Sequence, residues 1–324
     1  MQAKLSRFAT FSWFVLFYNV AVILWGAFVR ATGSGAGCGS HWPMCNGQVI
    51  PRAPQLETII EFIHRVSSGL TLILVVLLVV WAWRLYNRGS YVRKSTGAAL
   101  IFVLVEAALG AGLVLFGWTA DDDSIGRAIM MMVHLTNTFL LLGNLTLTAV
   151  WASGEVPVQL HFQSKKDWLL PISLLGILVL GASGGITALG DTLFPAASFA
   201  EGFQADFSGA AHFLLRLRVF HPIIAILSGI LVYLAARPHV ENEKKPAARK
   251  AAGLVIGLFV LQLILGGINV ILLAPVWLQL VHLLVSNLIW IVQITLTSFV
   301  VGRTDLAPGV VDHPVHERVP ASAQ

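Results

Sequence analysis

The sequence predicts an all-α membrane protein of eight transmembrane helices, arranged as two pseudo-symmetric four-helix bundles in a 4+4 parallel repeat. Three observations carry this. Of 324 residues, 56% are hydrophobic and 11% charged, where a soluble domain carries about 25% charged residues. Eight apolar runs are each long enough to cross a hydrocarbon core, which takes about 20 helical residues. The first four runs share motifs with the last four.

The runs are 11–29, 62–83, 97–118, 128–151, 168–187, 219–236, 251–273 and 279–301. Helices suit them because a helix satisfies its own backbone hydrogen bonds in lipid. The first run lacks a small-residue cleavage site and reads as a retained helix. Fifteen of the 21 basic residues fall on one side of this topology. That side is expected to be the cytoplasm, with both termini there and an inner (plasma) membrane of bacterial type around the chain. The net charge of +5 then belongs beside lipid headgroups, and nucleic acid is not an expected partner. Arg30, Arg52, Arg65, Arg127, Arg216 and Arg218 remain on the outer side, where headgroup charge gives no reason for them. Long outer loops, 30–58 and 188–216, are rich in Gly, Ser, Pro and aromatic residues, and loops of that length usually cover a site.

His64 and His221 are 157 residues apart. The segment from Glu106 to Gly112 matches that from Gln262 to Ile268 at an offset of 156, and His134-Leu135 matches His282-Leu283 at 148. Four helices return the chain to its starting side, so the copies are parallel. The expected units are 1–160, 161–302 and a disordered cytoplasmic tail, 303–324.

Ten histidines are present, and four lie within helices: His64, His134, His221 and His282. Each is placed a turn or so inside the outer end of the second, fourth, sixth or eighth helix. Ionisable groups at membrane depth are costly and default to functional candidates. Facing imidazoles at one depth suit heme iron ligated from both sides. The expected pairs are His64 with His134 and His221 with His282. Arg65 follows His64, and Arg218 precedes His221 by three residues. Arginine binds carboxylates bidentately, so both are candidates for heme propionates. For Arg216, snorkelling to the headgroups is an equal reading.

The halves differ beside these histidines. Glu61 stands three residues before His64, where Arg218 stands before His221. Residues three apart share a helix face. A carboxylate there is suited to taking a proton or stabilising developing positive charge, which makes the first half the reactive site and the second a resident redox site. An ion pair of Glu61 with Arg65 is compatible with this. Glu106, matched by Gln262, is a weaker candidate that interhelical hydrogen bonding explains equally. Gly110, Gly112, Gly266 and Gly267 permit close approach of helices or of a porphyrin face. Cys38 and Cys45 lie in CGSHWPMC on the oxidising side. A disulfide there is either a structural staple or a redox relay, and too few ligands adjoin it for zinc.

These residues resemble the heme A synthase family. The likeness rests on VRATGSGAGCGSHWPMCNG, EFIHR, MMVHLTN, RVFHP and VHLLVSN, in order, and covers nearly all of 10–301. It implies an oxidoreductase that converts a methyl group of heme O, through a hydroxymethyl intermediate, to the formyl group of heme A, with water as the oxygen source. By that likeness His64 and His134, with Arg65, hold the substrate heme. His221 and His282, with Arg216 and Arg218, hold a heme B cofactor, and Glu61 is the catalytic acid. Cys38 and Cys45 match the family's first-loop pair, while the second-loop pair of some relatives is absent. The implied partners are the farnesyltransferase that makes heme O and, downstream, cytochrome oxidase. The electron acceptor and any homo-oligomer are left open. A bis-histidine di-heme B electron-transfer cytochrome is the alternative, and a transporter built on parallel repeats is a third reading.

Overall fold

The computed structural model describes residues 6–155, 159–160, 162, 164–243 and 245–303. Ten α-helices lie among them: α1 (Arg7–Ala31), α2 (Leu56–Leu85), α3 (Tyr91–Leu115), α4 (Ile125–Val150), α5 (Leu169–Leu193), α6 (Phe199–Phe207), α7 (Phe213–Arg218), α8 (Phe220–Asn242), α9 (Pro246–Ile271) and α10 (Val276–Val301). Eight spans are long and apolar enough to cross a membrane, with α7 and α8 forming one of them. The chain is a multi-pass membrane protein. The expected tail falls on residues 304–324, which lie outside the described residues.

Several helices start earlier than the apolar runs, and polar residues cap α1, α3 and α4. Ser6 accepts from Ala9 N at 3.1 Å and Ser124 from Arg127 N at 3.2 Å, satisfying amides that would otherwise be orphaned. Pro246 opens α9, where a missing N–H costs nothing. These extensions move the helical histidines deeper than expected. His64 is eight residues into α2, and His134 nine into α4. At 1.5 Å per residue that is about 12–14 Å.

Packing order is the same in both sets of four spans. α1 packs on α2, α2 on α3, α3 on α4, and α4 back on α1; α5, α8, α9 and α10 repeat that circuit. The sets meet along a seam of α1, α4, α5 and α10, and α4 and α10 are the most buried spans. In the seam Trp290 Nε1 donates to the Phe139 carbonyl at 2.6 Å, and the rings meet edge-on at 5.5 Å. Trp151 Nε1 donates across the seam to Ser298 Oγ at 2.8 Å, while Gln293 of α10 donates to Ser173 Oγ of α5 at 2.6 Å within the second set. Apolar side chains such as Ile73, Ile101, Leu175 and Ile264 stay exposed on the outside, as lipid-facing residues do. A two-stranded ribbon pairs Gln159–Leu160 with Gly302–Arg303.

Candidate functional site

Three of the four helical histidines press against a glycine of the neighbouring helix. A methyl group on Gly26 of α1 would lie 2.8 Å from His64 Cε1. The equivalent distances are 3.2 Å from Gly184 of α5 to His221 and 3.3 Å from Gly266 of α9 to His282. Any larger residue would displace the ring, so these glycines set where the imidazoles sit. His64 stands on α2 and His134 on α4, the second and fourth spans of the first set, and His221 on α8 and His282 on α10, the second and fourth of the other.

The Nδ1 atoms of His64, His134 and His282 are buried without a hydrogen-bond partner, while His221 Nδ1 meets Ser183 Oγ at 2.9 Å. Among the described residues, no hydrogen bond engages Nε2 of any of the four. Orphaned polar atoms in an apolar bundle cost free energy, and Nε2 is a nitrogen by which imidazole binds iron. The donor set and the glycine-walled rings therefore fit a heme held between two histidines in each set of spans.

Glu61 is 4% exposed and fully engaged. Its Oε2 accepts from Cys38 N at 2.8 Å, and Oε1 accepts from Arg65 Nε at 3.0 Å and Nη2 at 2.6 Å. Arg65 Nη1 donates in turn to the carbonyls of His41 at 2.6 Å and Met44 at 2.8 Å. The segment that carries the Cys38–Cys45 disulfide is thus docked on Glu61 from both sides. It approaches α2 so closely that a methyl on Gly37 would fall 2.4 Å from the Glu57 carbonyl carbon. Cys38 and Cys45 are 0% and 1% exposed. The bond is thus buried where the loop packs on α2.

Arg218 is paired inside the chain as well. It donates to Asp206 Oδ1 at 2.5 Å, Asp191 Oδ1 at 2.9 Å and the Gly202 carbonyl at 3.3 Å. Any propionate there competes with two aspartates. Arg216 is exposed. Sequence reasoning missed Asp191 and Asp206, although with Glu201 they are the only acidic residues of the 188–216 loop. Arg30, one of the outer-side arginines that headgroup charge left unexplained, crosses the seam to the Ala188 carbonyl at 2.6 Å, Thr192 Oγ1 at 2.5 Å and Gln279 Oε1 at 2.8 Å. Nothing local marks those partners in the sequence, because they are some 160 and 250 residues away.

Glu106 accepts from Asn137 Nδ2 at 2.5 Å and from the Thr138 hydroxyl, and its Oε1 lies 3.5 Å from His134 Nδ1. Gln262 donates to Ser286 Oγ at 2.7 Å. The two contacts occupy matching places, since Thr138 and Ser286 each stand four residues after a site histidine. Glu106 is therefore an interhelical hydrogen-bonding residue that also reaches toward the His134 ring. Gly110, the counterpart of Gly266, faces open space.

A sequence model of the cytochrome oxidase assembly protein family matches residues 9–294. A protein of Thermus thermophilus named protoheme IX farnesyltransferase is 49% identical over 298 residues, which is 92% of this chain and 49% of that protein. The chain spans about half the length of these curated relatives. Heme A synthase of Alkalihalophilus pseudofirmus is 46% identical over 30% of the chain and 32% of its own length, and that of an Exiguobacterium species is 31% identical over 57% and 60%. With the family match running across nearly every span that builds the site, the chain belongs to the cytochrome oxidase assembly protein family.

Proposed function

We propose that this chain is a heme A synthase, an oxidoreductase converting the methyl group of heme O to the formyl group of heme A. Glu61 carries the proposal. A buried carboxylate stands one turn from His64, while the corresponding place before His221 holds Arg218. With water as the oxygen source, R–CH3 and H2O give R–CHO through a hydroxymethyl intermediate, and four protons and four electrons leave, the electrons to an external acceptor. Removing electrons from a methyl carbon builds positive charge there, and a fixed carboxylate in a water-poor site stabilises such charge. Arg65 and the Cys38 amide hold that carboxylate in place.

On this reading His64 and His134 hold the substrate, and His221 and His282 hold heme B. Heme B supplies one-electron redox chemistry when bound. Arg65, Arg216 and Arg218 are the side chains nearest the helical histidines in sequence that suit propionates. The functional halves are 1–160 and 161–302. The positive-inside rule places the histidine end outside the cytoplasm of a bacterial-type inner membrane, with both termini inside. The farnesyltransferase that makes heme O is the upstream partner, and cytochrome oxidase the consumer.

The Thermus relatives favour a second reading, prenyl transfer to protoheme IX. That name belongs to a protein about twice this length, and we assign prenyl transfer to the part this chain does not span. One experiment separates the readings: express the full chain with heme O supplied, then extract and identify the pigments. Heme A in the parent, and its loss with retained heme B in Glu61→Gln, is expected. Heme B alone would make the protein an electron-transfer cytochrome. Heme O formed from protoheme IX and farnesyl diphosphate would establish the prenyl-transfer reading.

A further inference from the structure

The nine-residue helix α6 carries an unpaired aromatic ridge. Phe199, Phe203 and Phe207 are 52%, 58% and 64% exposed. Their rings run as a ladder, 6.4 Å and 4.9 Å between successive centroids. By ordinary phenylalanine areas the exposed portion is roughly 300–400 Å², a size at which an apolar patch marks an interaction surface.

The rest of α6 shows what covers the ridge. At about 100° per residue the helix divides into three sectors. Gly202 is buried, and Ala205 and Asp206 are half-buried. This sector sits on the protein, where Asp206 and the Gly202 carbonyl take Arg218. Glu201 and Gln204 are exposed on the opposite sector. The phenylalanines fill the sector between them. Links of five residues tie α6 to the end of α5 and the start of α7, both ends of membrane spans. Its height is therefore that of the membrane boundary. Leu217, Phe220 and Ile223, exposed along the adjoining span, continue the apolar surface downward. Protein below, water above and lipid at the side is the environment of an interfacial amphipathic helix.

We propose that α6 lies in the headgroup–acyl boundary of the leaflet at the histidine end, its Phe199–Phe203–Phe207 ridge in lipid. The same seat presses Asp206 onto Arg218, so the bilayer helps to set the polar cluster three residues before His221. This stands on the membrane topology alone and does not depend on which reaction the chain performs.

The test uses the full chain in lipid nanodiscs, with nitroxide labels at Phe199→Cys, Phe203→Cys, Glu201→Cys and Gln204→Cys in turn. All four positions are exposed, and the native cysteines are tied to each other, so only the introduced thiol reacts. Power saturation by oxygen reports lipid, and by a nickel chelate reports water. Expected are oxygen-dominated relaxation at 199 and 203 and nickel-dominated relaxation at 201 and 204. Equal nickel access at all four would overturn the proposal, as would spin–spin broadening at 203 from a second copy of the chain.

Discussion

Gly26→Ala tests how the His64 ring is held. Within a helix the change favours folding by about 1 kcal/mol on propensity alone. Here the new methyl would lie 2.8 Å from His64 Cε1 and 3.1 Å from Nε2. Carbon atoms pack at about 3.5–4.0 Å, so the ring must retreat by about 0.7 Å or more. Overpacking of this kind costs about 1–3 kcal/mol, which exceeds the propensity gain. The expected outcome is a loss of roughly 0–2 kcal/mol in the parent background. With His64→Ala the clash vanishes, and the same substitution should gain about 1 kcal/mol. Unfolding of all four corners of the double-mutant cycle in nanodiscs should thus return a coupling of about 1–3 kcal/mol. Gly110→Ala, facing open space, is the control that should gain in either background. Pigment extraction from Gly26→Ala should show the first pair of histidines weakened and the second intact. Additive energies, with coupling near zero, would refute the glycine wall.

Two further outcomes follow from the buried polar groups. Arg65→Ala leaves the Glu61 carboxylate buried without its ion pair, 2.6 Å in the parent, and should cost about 3–5 kcal/mol; adding Glu61→Gln should recover part of that, as read by thermal unfolding. Glu106→Gln should be tolerated to within about 1 kcal/mol, since Gln262 already makes the matching bond to Ser286. Glu106→Leu strips an acceptor from Asn137 and Thr138 and should cost about 1–3 kcal/mol, so equal stability of these two variants would argue against the hydrogen-bonding role.

The spans were legible because membrane helices announce themselves by length and apolarity, and each of the eight runs overlaps a helical span. The ends were not, because capping residues such as Ser6 and Ser124 lie outside the apolar runs. The Glu61–Arg65 pair was legible from the four-residue spacing of a helix face. What the sequence concealed depends on distant approach. The clamp of Cys38, His41 and Met44 on Glu61 and Arg65 needs the loop folded back on α2. The engagement of Arg218 by Asp191 and Asp206 likewise needs α5, α6 and α7 brought together. Helix α6 itself was hidden in a loop, since nine residues with three aromatics are too short for a spanning signal.

The seam between the two sets of spans bears on motion. It is fastened at three heights: Arg30 to α5 and α10 at the histidine end, Trp290 to Phe139 in the middle, and Trp151 to Ser298 toward the opposite end. Carriers that alternate their access rock one repeat against the other, which would tear all of these fastenings in a medium with no water to replace them. The molecule is built as a rigid frame, so whatever enters and leaves must do so by local opening at its rim and not by the halves swinging apart.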